Sequence, residues 1–177
     1  MTKLTSSKIR PCLWFDTQAE EAAKFYTAVF DNSSITSVTR RGDTAPGEAG
    51  TVLTVEFEID GQQLLALNGG PEFTFTEAIS FQVYCETQEE VDRLWSTLSD
   101  GGEEGPCGWL KDRFGLSWQI VPTVLPRLLS DPDQGRADRA MAAMLGMGKL
   151  DIQALTDAAD AADAASGVAS RPDSVGA

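Results

Sequence analysis

Between residues 116 and 121 apolar and polar side chains alternate. Leu116, Trp118 and Ile120 share one parity, and Ser117, Gln119 and Val121 the other. A period of two marks a strand with one packed face and one open face. Upstream, Asp112–Gly115 has turn composition, so CGWLKDRFGLSWQIVP from Cys107 to Pro122 predicts a β-hairpin. Elsewhere the period lengthens to that of a helix. Ala19, Ala22, Ala23, Tyr26, Val29 and Phe30 fall on one stripe, and Val91, Leu94, Trp95 and Leu98 on another. Each stripe follows a similar start, DTQAE from Asp16 and ETQEE from Glu86. Both starts read as capping boxes, Thr17 with Glu20 and Thr87 with Glu90.

Strand-like runs surround each predicted helix. Ile9–Phe15 precedes the first, and Ser34–Thr39, Thr51–Ile59 and Gln62–Asn68 follow it, the last two joined by an Asp60-Gly61 turn. Ala78–Cys85 precedes the second; a short strand near Glu104–Pro106 and the hairpin follow it. The order βαβββ thus occurs twice, and duplication explains it better than chance. The expected fold class is α+β, with halves at about 8–70 and 76–122 in one domain spanning 1–130. Val124–Leu129 reads as an apolar turn. Arg136–Leu145 and the stretch capped by Asp151 read as C-terminal helices, an extension over 131–159. Ala, Asp, Ser and Gly dominate 160–177, which predicts a disordered tail.

Composition narrows the function. The formal net charge of −13 opposes binding to nucleic-acid phosphates and anionic membranes. With no long apolar segment and no apolar leader run, a cytoplasmic protein is expected. Cys12, Cys85 and Cys107 form no CxxC pair, which fits free thiols in a reducing compartment. The chain has no histidine, so the commonest general base and metal ligand is missing.

PCLWFD (Pro11–Asp16), EEAAKFY (Glu20–Tyr26), VEFEIDGQ (Val55–Gln62), ALNGGP (Ala66–Pro71), ISFQVYC (Ile79–Cys85) and the hairpin carry a specific resemblance. From about Ile9 to Leu150 the chain resembles the PhnB-like group of the vicinal oxygen chelate superfamily, which includes glyoxalase I, bleomycin-resistance proteins and extradiol dioxygenases. Many members of the group carry the label 3-demethylubiquinone-9 3-methyltransferase. The resemblance implies two βαβββ modules forming curved mixed sheets around a cleft, and a homodimer. In metal-dependent relatives, His or Glu ligands line that cleft. Here the matching positions fall near Pro11, at Ala66 or Asn68, at Ala78 and at Gln119, none of them a carboxylate or imidazole. The expectation is therefore no metal and no other cofactor.

On this alignment the cleft wall is Asn68, Ser80, Gln82, Ser117 and Gln119, with Leu13 or Phe15 and Trp109 for apolar contact. Glu72 sits at its mouth. Amides and hydroxyls beside an aromatic suit a neutral or weakly polar small molecule; the alternative is an internal hydrogen-bonded network. Lys111, Asp112 and Arg113 form a charged hairpin tip, with Asp112 organising the turn. Trp14, Trp95 and Trp118 read as core. The expected function is a metal-independent PhnB-like protein binding a small organic molecule. Methyl transfer to a quinone precursor, as the label says, is one alternative, but no GxGxxG opens a helix here. Sequestration of a drug, as in bleomycin resistance, is the other.

Overall fold

The computed structural model describes residues 8–161, and the elements follow the expected order. The first module comprises β1 (Cys12–Phe15), α1 (Ala19–Val29), β2 (Ser34–Arg40), β3 (Val52–Ile59) and β4 (Gln62–Asn68). The second comprises β5 (Ser80–Cys85), α2 (Gln88–Ser99), β6 (Glu103–Glu104), β7 (Trp109–Lys111) and β8 (Ser117–Pro122). Each gives a four-stranded mixed sheet, in the orders β1-β4-β3-β2 and β5-β8-β7-β6. In both, the first and last strands of the module pair in parallel and the other pairs are antiparallel. Phe15 lies opposite Asn68 in one sheet and Cys85 opposite Pro122 in the other, so the modules superpose residue by residue in pattern. The Asp60-Gly61 turn joins β3 to β4 with φ of 43° and 82°. Two successive positive φ values twist a hairpin the way its strands twist.

Both helical stripes are inside. Ala19, Ala22, Ala23 and Tyr26 of α1 and Val91, Leu94 and Leu98 of α2 are almost wholly buried. Against them pack Val55, Phe57, Leu64 and Ala66 of the first sheet, and Leu110, Trp118 and Ile120 of the second, in one continuous cluster. Tyr26 touches both Phe57 and Trp118, and Phe30 stacks on Trp118. Helix α1 is therefore wedged between the packed faces of the two sheets, and the opposite faces look away from it.

The two helix starts are capped differently. At α2 the threonine half of the predicted box forms, the Glu90 amide donating to Thr87 Oγ1 at 3.2 Å, while Glu90 Oε2 reaches one residue past the cap and accepts from the Glu86 amide at 2.9 Å. At α1 Gln18 stands at the cap, with no side-chain cap bond of its own. There the Ala19 amide donates to Asn68 Oδ1 at 2.8 Å, so the cap comes from β4, 49 residues away. Glu20 instead pairs with Lys24. The Thr17–Glu20 box does not form: Asn68 caps the helix at the Ala19 amide, and the Thr17 amide donates to Gln18 Oε1 at 3.2 Å. In the second module the position matching Asn68 is Pro122, whose ring has no acceptor, so α2 must cap itself.

Beyond β8 come α3 (Val124–Leu129), α4 (Gln134–Leu145) and α5 (Ile152–Asp160). The first is a short helix rather than the turn expected. Val121, Leu125, Leu128, Ala140, Leu150 and Leu155 form a second cluster that fixes these helices to the end of β8. The Cys107 and Gly108 amides donate to the Met147 and Gly148 carbonyls, and Gln88 bonds both Leu150 and Ile152. Asp133 and Asp151 cap α4 and α5. The tail expected over 160–177 lies, beyond residue 161, outside the described residues. Among those described, no helix is long and apolar enough to cross a membrane.

Candidate functional site

The open face of the second sheet carries the expected polar row. Parallel pairing sets Ser80 beside Ser117 and Gln82 beside Gln119, while antiparallel pairing adds Lys111 and Trp109 on the same two levels. Side-chain bonds link the row in one direction. Tyr84 Oη donates to Gln82 Oε1 at 2.7 Å, Gln82 Nε2 to Gln119 Oε1 at 3.2 Å, and Gln119 Nε2 to Ser80 Oγ at 2.8 Å. Each amide NH₂ has a second hydrogen beyond the bond it makes in the row. Gln82 and Tyr84 are exposed and Gln119 is half-buried, so the row faces outward.

At the β6–β7 edge of the row lies a cavity of about 360 Å³. Its lining includes Glu77, Glu103, Glu104, Trp109, Lys111 and Ser117. Lys111 Nζ meets Glu77 Oε1 at 2.6 Å, which lowers the glutamate pKa and raises that of the lysine. Glu104 Oε1 accepts from the Trp95 indole at 2.8 Å. Ser117 is 0 % exposed and its Oγ has no hydrogen-bond partner. A buried hydroxyl without a partner is rare enough to need a reason.

The first sheet does not match the expectation. Leu64, Ala66 and Asn68 share the helix-facing side, so Asn68 is not on the wall with Gln82 and Gln119. Its amide is consumed by structure, capping Ala19 and donating to the Val52 carbonyl at 3.1 Å. Leu13 and Phe15 are also core. The open face of β1 and β4 carries Cys12, Trp14, Leu65 and Leu67 instead. The first-strand position expected near Pro11 is Cys12 on this face. Trp14 is accordingly not core: its indole donates to the Gly70 carbonyl at 2.8 Å and meets the edge of Phe73. Trp14 lies so flat on Gly69 that a Cβ there would come within 2.2 Å of the ring. Glu72 is exposed on the turn beside Gly70 and is not among the residues lining the cavity beside Trp109.

The hairpin tip is a structural centre that sequence reading saw only in part. Asp112 organises the turn as expected, accepting from the Phe114 and Leu116 amides at 2.8 and 3.1 Å. Its other oxygen accepts from Trp118 Nε1 at 2.8 Å and from Tyr26 Oη at 2.7 Å, tying α1 to the second sheet. Burial pushes the Asp112 carboxyl above the usual carboxylate value, against the pull of these four donors. Burial, then the Asp112 charge and hydrogen bond, push the Tyr26 phenol well above its ordinary value. Arg113 is held at the surface by Asp100 at 2.7 Å and by the face of Phe25. Burial raises the Cys85 thiol to about 12, so it is a core hydrophobe and not a nucleophile.

Residue pairing identifies the equivalent open-face positions of the two modules. Cys12 and Leu65 in the first match Gln82 and Gln119 in the second. One thiol, one alkyl chain and two neutral amides do not fit a divalent cation. Among the described residues no three His, Cys, Asp or Glu side chains are grouped to hold a metal.

Comparison with known proteins agrees with this architecture. The family model described as 3-demethylubiquinone-9 3-methyltransferase matches residues 7–121. A Bacillus cereus PhnB protein bearing the same description is 37% identical, with a TM-score of 0.60, over 66% of this chain and 100% of its own. Protein PA1353 from Pseudomonas aeruginosa shares the fold, at 21% identity and a TM-score of 0.55, over 66% of this chain and 98% of its own. No curated protein matches the chain. Two βαβββ modules, the family match over most of the described residues and the similarity to a PhnB protein together establish that this chain belongs to the 3-demethylubiquinone-9 3-methyltransferase family, the PhnB-like group of the vicinal oxygen chelate superfamily.

Proposed function

We propose that this protein binds a small organic molecule on the open face of its second sheet, without a metal, and does so as a homodimer in the cytoplasm. The hydrogen-bonded row Tyr84–Gln82–Gln119–Ser80 carries the reading. Fixed amides with hydrogens to spare recognise carbonyl and hydroxyl groups, and they hold their orientation because each already spends one bond on a neighbour. The family label names a methyl transfer. Gly69-Gly70 runs into Pro71 and an irregular linker, not into a helix that would cradle a nucleotide, so the label has no support in these residues. The strong negative charge argues against nucleic-acid or anionic membrane partners.

The packing of α1 against both sheets supports the dimer. Because α1 contacts the packed face of each sheet, a second copy would bring one open face of each kind together around a hollow with two walls. A partner's Cys12–Trp14–Leu65–Leu67 face would supply the apolar wall opposite the amide row. Native mass spectrometry of gently purified protein is the test. A co-purified organic mass at one per chain, lost in Gln119→Leu with an unchanged melting temperature, is the expected result. Stoichiometric zinc, nickel or iron retained after dialysis refutes the metal-free reading. A monomer mass by light scattering at micromolar concentration refutes the dimer.

A further inference from the structure

The cavity beside Trp109 differs in chemistry from the row it adjoins. Three carboxylates, Glu77, Glu103 and Glu104, line it against the single ammonium of Lys111. Lys111 is already paired with Glu77, and the charge of Glu103 also acts on it. One oxygen of Glu104 serves Trp95, which leaves the other for a ligand. The indole of Trp109 supplies an aromatic wall, and the lining also includes Ser117, whose buried hydroxyl has no hydrogen-bond partner. Aromatic surface with excess carboxylate attracts a cation, more so when the cation is weakly hydrated. The orphaned Ser117 hydroxyl is the independent sign of a ligand, because a polar ligand atom removes its desolvation cost.

We propose that this cavity is a subsite for the ammonium end of an organic cation bearing a hydroxyl or carbonyl, with the polar group reaching Ser117 and the remainder continuing along the amide row. The assignment rests on the open face of the second sheet being the ligand wall. It narrows the ligand class from neutral molecules to amines and quaternary ammonium compounds. The acidic surface of the whole chain raises the local concentration of such ligands.

The test is an NMR titration of the full chain with choline, with its uncharged carbon isostere 3,3-dimethylbutan-1-ol, and with isovalerate as an anion of similar shape. The readouts are the Trp109 indole N–H and the Ser117 amide. Choline should shift both saturably, and the isostere should bind at least about threefold more weakly. Trp109→Leu should weaken choline about two- to fivefold. Glu103→Gln, a surface change that leaves the core untouched, should also weaken it. Lys111→Gln removes the competing ammonium and should tighten it. Equal binding of choline and its isostere, no shift at Trp109, or preferred binding of isovalerate abolished by Lys111→Gln overturns the proposal. The wall reading fails separately: choline binding with Gln119→Leu leaving a co-purified ligand in place keeps this subsite and discards the amide row.

Discussion

Replacing Asp112 tests the centre of the fold most directly. The side chain is 2 % exposed and accepts four hydrogen bonds, two from its own turn, one from Trp118 and one from Tyr26. All four partners donate in the native structure. A carboxylate has the acceptor capacity for all of them; an amide has one acceptor oxygen and an NH₂. In Asp112→Asn that oxygen can keep Phe114 and Leu116, and the NH₂ then faces Tyr26 and Trp118. The Tyr26 hydroxyl can rotate and accept. The Trp118 indole can only donate, so it is left buried and unpaired.

An unpaired buried donor costs about 1–3 kcal/mol. Burial disfavours the Asp112 charge and raises its pKa, a cost that the neutral amide relieves in part. Asp112→Asn should therefore lose about 2 kcal/mol, and Asp112→Ala, which orphans both turn amides as well, about 4 kcal/mol. For a chain of this size those losses lower Tm by about 2–4 °C per kcal/mol. Urea unfolding followed by tryptophan fluorescence and far-UV circular dichroism measures both. Adding Tyr26→Phe to Asp112→Asn should cost less than the sum of the single losses, because the two groups share one network. Strict additivity, or an alanine variant no worse than the asparagine one, refutes the reasoning.

Three other outcomes follow from the geometry. Asn68→Ala should lose about 1–2 kcal/mol through the α1 cap, and Thr87→Ala about 1 kcal/mol, while Thr17→Ala changes stability by less than about 0.5 kcal/mol, all by urea denaturation. Tyr26 has its folded pKa raised, so its contribution is whole below the ordinary tyrosine pKa and is lost as pH climbs from there toward the folded value. Above roughly pH 10 Tyr26 should then contribute about 1.4 kcal/mol per pH unit to the fall in stability, the share that Tyr26→Phe removes, while Cys85, held protonated by burial, adds a similar slope of its own above the ordinary thiol pKa. Cys85, wholly buried, should resist a water-soluble thiol reagent until the protein unfolds, whereas Cys12 should react in the monomer and become protected as concentration drives dimerisation. Cys12 labelling at one rate across a dimer transition places the interface elsewhere.

The second module was legible because its pattern is unambiguous. In SWQIVP the polar and apolar residues of the first four positions fall on opposite parities, so Ser117 and Gln119 could be assigned to the open face and Trp118 and Ile120 to the core. In the first module QQLLALN places apolar residues on both parities, and CLWF has no polar residue at all. Period-two reasoning has little to choose between there: Gln62 and Gln63 stand on opposite parities, and Asn68 pointed to the wrong face because its role is to cap a helix distant in sequence. The caps show the same limit: DTQAE and ETQEE are alike locally, and only the three-dimensional neighbour of each helix start decides whether the threonine is used. Glu77, Glu103 and Glu104 gave no sign of acting together, since they lie on a linker and a two-residue strand that converge only in the folded chain.

The duplicated modules have diverged in complementary directions. At matched open-face positions the first has Cys12 and Leu65, and the second has Gln82 and Gln119. A hollow built from one of each has an apolar wall and a hydrogen-bonding wall, which a hollow built from two like modules would not have. Such a pair orients an amphipathic molecule by burying one side and bonding the other. Charge remains on both faces: Glu56, beside Leu65 and paired with Arg10, on the first sheet, and Lys111, beside Ser117 and paired with Glu77, on the second. On the proposed reading, selectivity for a ligand's charge comes from such groups, and beside Trp109 three carboxylates face one ammonium. A ligand that is apolar on one side, a hydrogen-bond acceptor on the other and cationic at one end satisfies all three surfaces at once.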